Sequence, residues 1–189
     1  ELLHSDTQAT GGIIYRNLTP TAIFVDEKGF PMLFDMRYSV AAEPPPRDYC
    51  GFAHYLAPEQ VSGLGHGLAA DLWALGVLIY EMITASNPWL TGDPAKDSEV
   101  AVYSRITGHK EGTLKFPAET QISPELAKLL NSLLDPHPES RLGCNESKGS
   151  IKELREHPWF ENVMWGDLQR RNPTVTCPHA ERCQKEIES

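Results

Sequence analysis

The sequence predicts a mainly α domain with a small β hairpin, and three stretches carry that prediction. Ala70 to Ile83 is apolar on nearly every side, interrupted only by Asp71 and Glu81. That pattern reads as a helix buried all round, since a surface helix would show one apolar stripe. Pro124 to Leu134 places Leu126, Leu129, Leu130, Leu133 and Leu134 behind Ser123 as an N-cap, with Pro124 at the first helical position. Ile13 to Phe34 instead sets short β-prone runs between proline and glycine turns.

The chain has 189 residues, enough for one domain with a real core. Its net charge is −9, with acidic and basic residues mixed along it. That disfavours nucleic acid, because a phosphate backbone asks for a basic face. No apolar run reaches the roughly 18 residues of a membrane span. The N-terminus lacks the basic-then-apolar pattern of a signal peptide. Four cysteines make no disulfide framework at this length, so reduced thiols and a cytoplasmic location are expected. Cys177, His179 and Cys183 lie close together, but a metal site would want a fourth ligand and tighter cysteine spacing. Asn17-Leu18-Thr19 and Asn145-Glu146-Ser147 fit the glycosylation triplet, which without a secretory context is a chance match.

In chain order, Glu1 to Ser5 reads as a helix end and Asp6 to Gly12 as a loop. Ile13 to Asp26 reads as strand, loop, strand. Asp26-Glu27-Lys28-Gly29 supplies a turn, and Pro31 to Phe34 returns as the second strand of a hairpin. Further helices are expected over Ser98 to Gly108, with Val100, Val102, Tyr103 and Ile106, and over Ile151 to Glu156. Asp71 is the odd member of the central helix. A carboxylate there must be hydrogen-bonded or cost several kcal/mol, so it is expected to hold another segment's backbone.

Several motifs give the arrangement a family. Tyr15-Arg16-Asn17-Leu18-Thr19-Pro20-Thr21-Ala22, a hairpin and Asp35-Met36-Arg37 resemble the catalytic loop and Asp-Phe-Gly segment of eukaryotic protein kinases. Cys50-Gly51-Phe52-Ala53-His54-Tyr55-Leu56-Ala57-Pro58-Glu59 resembles Cys-Gly-Thr-Pro-Glu-Tyr-Leu-Ala-Pro-Glu of the cyclic-nucleotide-dependent (AGC-type) serine/threonine group. Asp71 to Val77, Arg141-Leu142-Gly143 and His157-Pro158-Trp159-Phe160 match further signatures in order. The resemblance covers about residues 4 to 170. It implies a kinase large (C-terminal) lobe over 1–171, with 172–189 as a mobile C-terminal tail.

The same resemblance assigns roles. It implies that Asp71 anchors the catalytic loop and that Glu59 and Arg141 form a buried salt bridge. Phosphoryl transfer needs a carboxylate to accept the hydroxyl proton, ligands for metal ions and a cation on the phosphate. At those positions the chain has Asn17 for the base, Thr19 for the lysine and Ala22 for the metal-binding asparagine. Asp35 keeps its chemistry as metal and cofactor ligand, but Arg37 replaces the glycine beside it and can compete with a metal.

Residues 38–49 match the activation segment. Asp48 stands where the family's phosphorylated threonine sits, and Arg16 is the usual phosphate partner. An Asp48–Arg16 ion pair and a solvated loop aspartate are both open on sequence grounds. Glu43-Pro44-Pro45-Pro46-Arg47 reads either as a docking motif or as a stiffener of the loop. Phe52, Ala53 and His54 replace residues that border the catalytic pair. Thr21 replaces an acidic residue that reads substrate arginine, while Glu81 keeps a second such position.

Packing motifs therefore survive and chemistry motifs do not. The expected function is a degraded, pseudokinase-like domain acting as a binding or regulatory module. The alternative is an ATP-dependent serine/threonine kinase with an atypical active site. The family implies ATP and Mg²⁺ as cofactors, though these substitutions weigh against their binding. A kinase small lobe, with its glycine-rich loop and lysine, is absent from the sequence. A fragment of a longer protein is expected, with protein partners that include that lobe or a regulatory or scaffold protein.

Overall fold

The computed structural model describes residues 3–4, 12–144 and 150–171. The Cys177, His179 and Cys183 group, the Asn145 triplet, the tail 172–189 and most of the first eleven residues lie outside the described residues.

The central element is α2, Ala69–Thr84. It carries core on two sides. On one side Trp73, Val77 and Leu78 pack with Tyr55, Trp89, Val102, Ile106 and Leu134. On the other, Leu72, Ile79 and Tyr80 pack with Leu126, Leu129, Leu130, Leu133 and Leu154. The expectation of burial all round needs one correction. Met82 is 67% and Ile83 39% exposed, so the last turn emerges from the core. The helix then stops at Ala85, whose φ of 53° cannot continue it.

The predicted surrounding helices form. α3 is Glu99–Thr107 and α4 is Pro124–Leu133. Ser123 caps α4 by accepting the Leu126 N–H at 3.1 Å. Short helices α1 (Pro58–Val61), α5 (Ser150–Arg155) and α6 (Trp165–Gln169) complete the α-helical set among the described residues.

The strands differ in one respect from the sequence expectation. β2 (Ile23–Val25) and β3 (Pro31–Leu33) form the predicted hairpin, with Phe24 opposite Met32. β1 (Ile13–Ile14), however, pairs with β4 (Val40–Ala41), a strand the sequence reading did not assign. This antiparallel pair brings the start of residues 38–49 against the approach to Tyr15. No described helix is long and apolar enough to cross a membrane.

Candidate functional site

Asp71, in the first turn of α2, organises residues 15–17. Its carboxylate accepts the backbone N–H of Tyr15 and of Arg16, each at 2.8 Å, and contacts His4 Nε2 at 2.7 Å. Three partners satisfy a group that would otherwise be costly to bury. They also hold Arg16 at a φ of 60°, a left-handed conformation that a non-glycine residue adopts at a cost of order 1 kcal/mol. Gly51 supports the same bend. A Cβ there would lie 3.2 Å from the Arg16 carbonyl, at a φ of 104°.

The hairpin end closes on this loop. The Tyr15 hydroxyl donates to the Phe34 carbonyl, and burial pushes that phenol's pKa up. Asn17 Nδ2 donates to the Asp35 carbonyl at 3.1 Å. The structure therefore brings together Asn17, Thr19, Ala22 and Asp35, but their side chains do little to one another. Thr19 Oγ1 is spent on Thr21 Oγ1, at 3.0 Å. Ala22 is buried and offers only a methyl group; its carbonyl accepts the Phe34 N–H at 2.9 Å.

Asp35 is turned onto Arg37. Arg37 Nε donates to Asp35 Oδ1 at 2.7 Å and the Arg37 backbone N–H approaches the same oxygen at 3.4 Å. The guanidinium holds this carboxyl below the usual range. A divalent cation is a poor fit to these residues. Ala22 has no donor atom, and Asp35 already meets a cation of the chain. No group of three His, Cys, Asp or Glu residues suited to a metal occurs among the described residues.

Two ion pairs frame the site. Arg141 is fully buried and grips Glu59 through both ends of its fork, at 2.8 and 3.1 Å. It also donates to the carbonyls of Asp135 and Ala69, and its guanidinium stacks over Trp73. The pair thus joins α1 to the start of α2. Arg16 Nη1 meets Asp48 Oδ1 at 2.8 Å.

Beside the loop, a cleft of about 610 Å³ is bounded by Pro20, Glu81, Met82, Asn87 and Leu90, among others. Both Glu81 oxygens at its base are engaged. One accepts the Tyr55 hydroxyl and the other Asn87 Nδ2 at 2.7 Å. Thr21 lies off this cluster, bonded to Thr19.

Sequence reasoning missed His4 and His66. His4 completes the set of partners on Asp71, and the only signal was that a buried carboxylate there required partners. His66 packs 3.4 Å from Arg16 Nη1, and nothing in its local sequence marks it.

The sequence pattern of the protein kinase domain matches residues 1–160. The chain belongs to the protein kinase domain family. Its fold is that of a kinase large lobe: mostly helical, with few short strands. Relatives are serine/threonine kinases of the AGC type. Protein kinase 2 of Dictyostelium discoideum is 38% identical over 165 residues, covering 86% of this chain and 32% of that protein. A cAMP-dependent protein kinase, catalytic subunit-like, of Caenorhabditis briggsae is 33% identical over 156 residues, covering 82% and 37%. A cGMP-dependent protein kinase of Drosophila melanogaster is 30% identical over 159 residues, covering 83% and 16%. The chain thus spans about a third or less of the length of these kinases.

Proposed function

We propose that this kinase-family chain has lost phosphotransfer and serves as a binding or regulatory module. One observation carries the reading. The catalytic loop is held in shape by Asp71 while the groups that do the chemistry are replaced or occupied. Asn17 stands at the base position and spends its amide on a backbone carbonyl. Thr19 has no charge and Ala22 no ligand atom. Asp35, the remaining metal position, faces Arg37. Loss of a general base alone costs about 10²–10⁴-fold.

In this reading residues 1–171 are the lobe and 172–189 a tail appended to it. The family uses ATP and Mg²⁺, and the residues here give neither a complete seat. Phe24, Val25, Leu33 and Phe34 on the β2–β3 hairpin are each about half exposed. Such an apolar face fits cover by a small lobe or a protein partner.

The test is radiolabelled phosphate transfer from ATP, with Mg²⁺ and with Mn²⁺, by the full-length protein. It is run beside the triple restoration Asn17→Asp, Thr19→Lys, Ala22→Asn. The expected result is silence from the unmodified protein and measurable transfer after restoration. Transfer by the unmodified protein, abolished by Asp35→Ala, would establish the alternative of an active kinase with an atypical site.

A further inference from the structure

We infer that residues 38–49 of this chain are locked in one conformation by the chain's own Asp48, with no phosphate required. The lock is built on Arg16. Its side chain is 3% exposed, so the guanidinium is a buried cation that must be compensated within the fold. Its Nε donates to the Tyr38 carbonyl at 2.6 Å, at the start of the segment. Its Nη1 donates to Asp48 at 2.8 Å, at the end of the segment. The same nitrogen lies 3.4 Å from His66 Nε2. His66 in turn donates its backbone N–H to the Pro46 carbonyl at 3.1 Å. One guanidinium therefore ties both ends of the segment, and the backbone of its neighbour His66 ties it again at Pro46.

The carboxylate is the indispensable part. Tyr38 offers a neutral carbonyl. His66 meets the guanidinium by presenting a lone pair, which requires a neutral ring. The groups whose charges act on His66 are Arg16, Asp48, Glu59 and Asp71; burial and Arg16 favour the neutral ring. Asp71 Oδ1 is engaged with the Arg16 backbone N–H. Among the described residues, Asp48 supplies the carboxylate that forms an ion pair with the Arg16 guanidinium. Asp48 is itself 59% exposed, so replacing it should loosen the segment while leaving the two core clusters around α2 intact.

The consequence is regulatory. A segment fixed by an encoded carboxylate presents one permanent face beside the site, rather than a face that a phosphate switches on. This holds whether or not the chain transfers phosphate, so it stands or falls separately from the functional reading above.

Limited proteolysis of the full-length protein tests it, with cuts at exposed Arg47 mapped by mass spectrometry and whole-domain melting followed in parallel. Asp48→Asn keeps the shape and removes the charge. The expected result is cleavage at Arg47 about fivefold faster, with the main melting transition retained. Asp48→Thr should be equally labile and regain resistance once that threonine is phosphorylated. Phosphatase treatment of the unmodified protein, an arm that needs no variant to fold, should leave its cleavage rate unchanged. Cleavage of Asp48→Asn at the unmodified rate would overturn the lock. Faster cleavage after phosphatase treatment would overturn its independence from phosphate.

Discussion

Among the described residues, Glu59 and Arg141 form the most deeply buried ion pair and the costliest to break. The arginine is fully enclosed and its carboxylate partner nearly so. Its other contacts, two carbonyls and the face of Trp73, are neutral. Glu59→Ala therefore leaves a buried cation uncompensated, and the expected loss is about 3–5 kcal/mol of unfolding free energy. Urea denaturation measures it. A loss under about 1 kcal/mol would mean that water reaches the guanidinium once the carboxylate is gone. Arg37 and Asp35 illustrate the opposite regime. That pair is as short, at 2.7 Å against 2.8 Å, but its arginine is 67% exposed, so its meaning is chemical occupancy of a carboxylate rather than stability.

At the scale of elements, the contact between α2 and α4 is set by the absence of a side chain. A Cβ on Gly76 would stand 2.9 Å from Leu134 Cδ2 and 3.0 Å from Leu133 Cβ. Both leucines are fully buried, so neither has space to retreat. Gly76→Ala gains up to about 1 kcal/mol of helix propensity but forces overpacking worth about 1–3 kcal/mol. A net fall in thermal midpoint is expected, and a rise would show that α4 shifts freely. The glycine's role was illegible in the sequence, because which helix would approach α2 is a tertiary fact. The helices themselves were legible where burial imposes a period, as along α4. β4 was not, since two residues carry no periodicity and its partner lies 26 or more positions upstream. The site divides the same way. Asp71 announced itself as a carboxylate in an apolar helix, and its need for partners followed from physics. That those partners are Tyr15 N, Arg16 N and His4 depends on chain folding across 55 or more residues.

At the scale of the whole molecule, four histidines spread along the chain couple its stability to pH. Burial lowers the pKa of His54, His66, His109 and His157 in the folded state. Nearby cations add to this for His66, through Arg16, and for His157, through Lys128. The Nδ1 of His157 accepts the Trp159 N–H at 3.3 Å, while its Nε2 is buried with no hydrogen-bond partner. In the unfolded chain each ring titrates near its ordinary value of about 6.5. Below neutrality the unfolded chain therefore binds more protons than the native one, and stability falls as pH drops toward the folded values. The carboxylates with lowered pKa, such as Asp48 and Asp97, act in a separate window. They contribute fully above about pH 5 and are lost progressively in stronger acid, so they leave the neutral range to the histidines. Thermal melting between pH 8 and pH 5.5 at fixed ionic strength isolates the effect. The midpoint should hold level down to about pH 7 and then decline, the more steeply the more rings must charge on unfolding. A profile level down to pH 5.5 would mean that the folded chain protonates these rings in place. That outcome runs against the position of His66, 3.4 Å from the Arg16 guanidinium, where burial and the arginine outweigh the charges of Asp48, Glu59 and Asp71 and disfavour a second positive charge.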